Sequence, residues 1–308
     1  MYDTIIVGGG AAGMTAAIYA ARKKMEVLVL EHEAGGQTAL QPEIWNYPGY
    51  LDVEGFKLMQ NFRKQATDYG AEIKNFKIAK ISSKEVEDNH KIFVLENDKG
   101  EEIEGRSVII ASGAKPRRLG VPGEMELDNK GVTYCATCDA PLFKDKEVAV
   151  VGAGNTGLDA AMQLTKYASN IYVLVKGDVI KGDQVTYEKL KKEGKVEFIF
   201  NTETKEIKGD NFVNSLVYKD TTSGEEKEIA VLGVFVSIGS IPNSDFVKGF
   251  CELNQFGNIV IDPRTNATSK PGVFAAGDVT DVLERQTVVA AGEGAKASLQ
   301  CYKWLQSR

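Results

Sequence analysis

Cys135-Ala136-Thr137-Cys138 carries an acid, Asp139, directly behind its second thiol. Cysteines at this spacing serve a metal, a reactive dithiol, or nothing beyond packing. Zinc needs four ligands, yet the sequence offers no second Cys-x-x-Cys and only two histidines, His32 and His90. No metal site is expected. A pair in which one thiol has a lowered pKa fits the spacing best, with Asp139 placed to move a proton. Two ordinary buried thiols and a solvated turn aspartate are the competing readings. The other two of the four cysteines, Cys251 and Cys301, stand alone and read as inert. With so little histidine, any hard redox step has to come from a cofactor.

Two glycine turns supply the place for one. Residues 5–31, IIVGGGAAGMTAAIYAARKKMEVLVLE, resemble residues 149–176, AVVGAGNTGLDAAMQLTKYASNIYVLVK. Each is an apolar strand, a glycine-rich turn, an amphipathic helix and a second β-branched strand, the first βαβ of a dinucleotide-binding fold. A single GxGxxG is weak evidence; two copies, each between a strand and a helix, are strong. In the first copy Gly8 permits the tight turn, Gly10 lets the backbone approach a pyrophosphate, and Gly13 allows close helix–strand packing. The helix N-terminus adds free N–H groups for phosphates. Glu31 follows about 20 residues on, where a carboxylate accepts from an adenosine ribose. In the second copy Gly152, Gly154 and Gly157 repeat the turn, but Lys176 is read at the position of the acid, with Asp178 two residues further on as a substitute.

The elements that must carry these turns are legible in outline. Ser107 to Gly113, Val231 to Gly239 and Gly272 to Val279 read as apolar strands ending in small-residue turns. Ile229 to Ile241 reads as one buried strand with its flanks, and Gln286 to Leu299 as a helix with small residues on one face. Residues 85–105, around Asn97-Asp98-Lys99-Gly100, and 202–230, around Thr222-Ser223-Gly224, alternate as hairpins. The chain has 308 residues, 43% hydrophobic and 26% charged, which suits about two globular domains and excludes a mostly disordered chain. A net charge of -6 leaves no basic footprint for nucleic acid or an anionic membrane. No apolar run reaches the roughly 18 residues that span a bilayer. Asp3 and three early glycines argue against a signal peptide, and the cysteines form no secreted framework, so a cytoplasmic protein is expected. Two nucleotide sites and a dithiol describe an electron relay, from a nicotinamide through a flavin to the thiols.

The sequence resembles the low-molecular-weight thioredoxin reductases over nearly its whole length. The resemblance lies in IIVGGGAAGMTAAIYAAR, GGQTA, WNYPGY, VIIASGAKPRRLGVPGE, VTYCATCDAP, the second glycine turn, IGSIPNS, and GVFAAGDV followed by RQTVVAAGEGAKAS. It implies an α/β fold of two Rossmann-like three-layer dinucleotide-binding domains, the second inserted in the first. Residues 1–115 and 245–308 would form the FAD domain and 116–244 the nucleotide domain bearing the dithiol, with hinges near Lys115 to Val121 and Gly239 to Ser244. It further implies that Gly8, Gly10, Gly13 and Glu31 hold the adenosine diphosphate of FAD. Gly36, Gln37, Asn46, Ala111, Gly277, Asp278, Arg285 and Gln286 would line the rest of the flavin. Gly152, Gly154, Gly157 and Lys176 would hold NADPH or NADH. Cys138 would face the flavin, Cys135 would attack the partner's disulfide, and Asp139 would protonate the departing thiolate or the flavin adduct.

The donor side departs from the family pattern. Members that use NADPH carry a His-Arg-Arg run where this chain has Lys176-Gly177-Asp178, with Lys181 nearby. A lysine is a point charge and cannot reproduce a guanidinium clamp on a 2′-phosphate. The relatives that use NADH have Glu there, and that is missing too, although Gly157 in place of Ala leans towards them. Some members take electrons from ferredoxin instead. The implied partner is thioredoxin or a thioredoxin-like small protein and the implied assembly a homodimer. The alternative is an NADH-dependent reductase of a peroxiredoxin system, resembling the alkyl hydroperoxide reductase flavoprotein. Those flavoproteins carry an extra N-terminal thioredoxin-like portion, whereas this chain begins on the flavin strand, which favours a separate dithiol acceptor.

Overall fold

The structure, a computed structural model, describes residues 1–41, 44, 46–85 and 91–308. Trp45 of the WNYPGY segment, His90 and the start of the first hairpin reading lie outside the described residues. The chain divides into two compact units, Met1–Lys115 with Ile241–Arg308, and Pro116–Ser240. The second crossing falls at Ser240/Ile241, four residues before the expected boundary. The reason is local: Asn243 donates its backbone N–H to Gly113 and its side-chain amide to the Ser112 carbonyl, at 2.9 and 2.8 Å.

The first unit is built on a parallel sheet in the order Val273–Ala275, Val108–Ile110, Thr4–Val7, Val27–Glu31, Glu72–Asn75. The four strands before Glu72 are buried throughout, as parallel strands covered on both faces must be. One face packs Ile6, Val29 and Ile109 against the helices Ala11–Arg22, Gly55–Asp68 and Thr287–Gln306. The other packs Ile5, Val7, Leu30 and Val108 against Ile81, Phe93 and Leu95 of the antiparallel sheet Ile78–Glu85, Lys91–Asn97, Glu102–Gly105. Three layers result. A Cβ on Gly294 would collide with the Ala12 carbonyl, so this glycine lets the last helix lie against the first. That helix runs to Gln306, past the Leu299 expected from sequence, because Cys301 and Leu305 continue its buried stripe.

The second unit repeats the plan. Its parallel sheet runs Val196–Ile199, Asn170–Leu174, Glu147–Val151, Gly233–Val236, Val132–Thr133. The helices Asn155–Leu164 and Gln184–Lys192 cover one face. The meander Thr202–Gly209, Val213–Asp220, Glu226–Ala230 covers the other. The single strand expected over Ile229 to Ile241 is parts of three strands in three sheets, Glu226–Ala230, Gly233–Val236 and Ser240–Pro242, the first two parted at the exposed Leu232. Among the described residues no helix is long and apolar enough to cross a membrane.

Candidate active site

The first glycine turn sits at the carboxyl ends of the strands Thr4–Val7, Val27–Glu31 and Val108–Ile110, the end of an open parallel sheet where ligands bind. Gly8 has φ +115°, and a Cβ on it would collide with the Ala111 carbonyl oxygen. A Cβ on Gly13 would strike the Gly8 carbonyl, whereas Gly10 faces open space. Gly36, with φ +57°, brings its loop within 3.3 Å of the Gly10 Cα, measured from the Cβ it lacks. Glu31 is only 7% exposed. One of its carboxylate oxygens accepts from the Arg63 guanidinium, and the other, Oε2, is buried with no hydrogen-bond partner.

Further round the same unit, Asn46 Nδ2 donates to Gln286 Oε1 at 3.0 Å, and Gln286 stands immediately before the helix Thr287–Gln306 without a side-chain cap bond to it. Burial pushes the Asp278 carboxyl up, against the pull of the Arg285 charge. Gln37 lies exposed in the short helix Gly36–Ala39. Sequence reasoning missed two residues here. Arg63 lies on a helix that gave no chemical signal. Glu293 is buried and accepts the Gly277 N–H at 2.7 Å, and its only signal was one acid in a helix of small residues.

The second turn has the same steric form. Gly152 has φ +112°, a Cβ on Gly157 would collide with the Gly152 carbonyl, and Gly154 is open. The reading of Lys176 in register with Glu31 is corrected by the strand pairing. Gly8 N–H bonds Leu30 O and Gly152 N–H bonds Leu174 O, so the residue equivalent to Glu31 is Val175. Val175 is buried; Lys176 and Asp178 follow it into an exposed loop. Gly182 N–H returns to the Ala153 carbonyl at 3.1 Å, closing that loop onto the turn. Asp183 then caps the helix Gln184–Lys192 through Thr186 N–H.

Cys135 and Cys138 form a disulfide across the short helix Ala136–Asp139, which follows the strand Val132–Thr133. Cys138 N–H donates to Cys135 Sγ at 3.2 Å, so a thiolate on Cys135 keeps a donor. Thr133 donates its hydroxyl to the Asp139 carboxylate and accepts from Cys135 N–H at 3.3 Å. Burial raises the Asp139 pKa, and the Thr133 bond opposes it. Thr133 was also missed, since a β-branched residue in a strand carries no chemical signal. Behind the pair, Tyr134 donates to the buried Glu124 at 3.0 Å and accepts from Arg118, while Glu124 accepts the N–H groups of Leu119 and Gly120. Burial pushes the Cys301 thiol up to about 11 and raises that of Cys251 as well. No metal-binding cluster occurs among the described residues.

Two dinucleotide cradles and a disulfide flanked by an acid define a dinucleotide-dependent disulfide oxidoreductase fold. The chain belongs to the pyridine nucleotide-disulphide oxidoreductases, matching that family over residues 2–294. It is 40% identical over 304 residues to an NADH dehydrogenase of Bacillus subtilis, covering 99% of this chain and 58% of that protein. It is likewise 40% identical over 315 residues to a thioredoxin reductase of Peptoclostridium acidaminophilum, covering 100% of this chain and 98% of that one. The crystal structure of a thioredoxin reductase from Streptococcus pyogenes superposes with a TM-score of 0.92 at 35% identity, covering 100% of this chain and 99% of the other. The chain spans only 58% of an alkyl hydroperoxide reductase polypeptide of Pseudomonas aeruginosa, at 41% identity.

Proposed function

We propose that the protein is a thioredoxin-disulfide reductase, carrying electrons from a reduced nicotinamide nucleotide through FAD and the Cys135/Cys138 dithiol to thioredoxin or a thioredoxin-like protein. The observation that carries this reading is the Cys135–Cys138 disulfide with Asp139 held beside it, in a chain that builds the dinucleotide cradle twice. The first cradle fits FAD: its glycines leave backbone-tight space, and the buried, partnerless Glu31 Oε2 suits a ribose hydroxyl. Gly8, Gly10, Gly13 and Glu31 would hold the adenosine diphosphate. Gly36, Gln37, Asn46, Ala111, Gly277, Asp278, Arg285 and Gln286 would line the remainder. Bound FAD supplies the two-electron carrier between a hydride donor and thiols.

The chain's own residues do the rest. Reduced Cys135 attacks the partner's disulfide, forming a mixed disulfide and releasing one partner sulfur as a thiolate, which Asp139 protonates. Cys138 then attacks Cys135 Sγ, so the intrachain disulfide re-forms and the second partner thiol leaves. Two electrons pass to the partner. Gly152, Gly154, Gly157 and Lys176 would receive the nucleotide. NADPH and NADH are both candidates, because neither a carboxylate nor an arginine stands at Val175 or Lys176. Reduced ferredoxin is the competing donor. The working assembly in this reading is a cytoplasmic homodimer. The likeness to the alkyl hydroperoxide reductase polypeptide supports one alternative, an NADH-dependent reductase of a peroxiredoxin system.

Anaerobic titration of the flavin-loaded protein with NADPH, NADH and reduced ferredoxin identifies the donor by flavin bleaching. Cys135→Ser and Cys138→Ser should each abolish reduction of thioredoxin disulfide while the donor still bleaches the flavin. Disulfide reduction retained by either variant overturns the proposal.

A further inference from the structure

We infer that Arg63 is a positioning residue for the adenosine ribose, holding Glu31 so that its second carboxylate oxygen is presented to the ribose 2′-hydroxyl. The inference rests on the flavin reading of the first cradle. The Arg63 guanidinium donates to Glu31 Oε1, and this leaves Oε2 as the acceptor without a donor. Oε2 lies against Gly9, where an added Cβ would collide with that very oxygen, so the absence of a side chain there leaves room for it. The partnerless oxygen therefore faces the glycine turn, where the ribose and phosphates of a dinucleotide lie. A free carboxylate rotates and presents either oxygen. Tying one of them to a guanidinium removes that freedom before the ligand arrives, which is preorganisation.

Arg63 reaches Glu31 from a separate element that is itself well seated. The helix Gly55–Asp68 buries Leu58, Met59 and Ala66, and Gly55 lies flush against the carbonyls of Thr38 and Gln41. Gly35 packs on Met59, and its neighbour Gly36 reaches Gly10, so the same loop seats the helix and closes on the turn. The Arg63 side chain is 42% exposed, against 8% for Glu31. It contributes little to the core, so its removal should be felt at the carboxylate it holds. In the second cradle Val175 occupies the register of Glu31 and has no charge for an arginine to hold.

The test is a cycle of Arg63→Gln and Glu31→Gln, with Arg63→Lys as the conservative variant. FAD binding to the flavin-stripped protein is read by fluorescence quenching, and binding of ADP and 2′-deoxy-ADP by calorimetry. Arg63→Gln should weaken FAD and ADP about tenfold, equivalent to about 1.4 kcal/mol, and leave 2′-deoxy-ADP nearly unchanged; Arg63→Lys should recover part of the loss. In the Glu31→Gln background, Arg63→Gln should have no further effect. Unchanged FAD affinity in Arg63→Gln, equal losses in both backgrounds, or equal losses for ADP and its 2′-deoxy analogue overturn the inference while leaving the flavin reading intact. A wild-type protein that binds no FAD overturns both.

Discussion

Asp139 sits where burial and a hydroxyl donor pull in opposite directions, and burial dominates. Its carboxyl therefore holds a proton more tightly in the folded chain than in the unfolded one. The stability contribution has a definite sign: it is greatest at low pH and is lost as pH rises from the unfolded pKa through the raised folded one. Asp139→Asn cannot ionise and escapes that loss. Its urea midpoint relative to wild type should rise between pH 3 and pH 7, while disulfide reduction falls about 100-fold or more, the scale of a missing proton donor. A midpoint difference that stays constant with pH, or activity that survives, would remove Asp139 from the proton-transfer role. Cys301, by contrast, has its thiol pushed up to about 11 in an apolar pocket beside Ser107 and Thr4, and is a packing residue.

At the level of elements, the two glycine turns are steric copies, yet the strands beside them end differently. Val175 stands where Glu31 stands in the first copy, so the second cradle has nothing at that position to accept from a ribose. Val175→Glu should restore an acceptor and repel a 2′-phosphate. The ratio of kcat/KM for NADH over NADPH should then rise about tenfold, the worth of one charge-assisted hydrogen bond. A folded variant, checked by its melting temperature, that shows an unchanged ratio would mean that this register position does not read the ribose. The turns themselves were legible in the sequence because close packing at Gly8, Gly13, Gly152 and Gly157 is a steric demand only glycine meets. The one-residue displacement of Lys176 was not legible. The end of the strand is set by hydrogen bonds from Gly152 to Leu174 and from Val175 to Ile199, and these belong to neighbouring strands. Arg63, Glu293 and Thr133 were hidden for the same reason: each acts through a partner brought to it by the fold. The Cys-x-x-Cys and its acid were visible because their geometry is local.

The whole molecule consists of two units with separate cores, and they differ in how they are cut from the chain. Pro116–Ser240 is continuous and carries its five-stranded sheet, both covering layers and the disulfide. A domain with its own core folds alone. The other unit is discontinuous, and its sheet takes Val273–Ala275 from beyond the insertion. Its first helix, Ala11–Arg22, is covered by Thr287–Gln306, whose Ala291, Gly294, Ala297, Cys301 and Leu305 are buried. Residues 1–115 alone would leave that helix and one sheet edge bare, exposing apolar surface and unpaired strand groups. Residues 116–240 expressed alone should therefore melt in one cooperative transition by circular dichroism and keep the Cys135–Cys138 disulfide. Residues 1–115 should show no such transition until a short linker joins them to 241–308. A non-cooperative 116–240 fragment, or a cooperative 1–115 fragment, would show that the stability of each unit does not come from the core drawn around it.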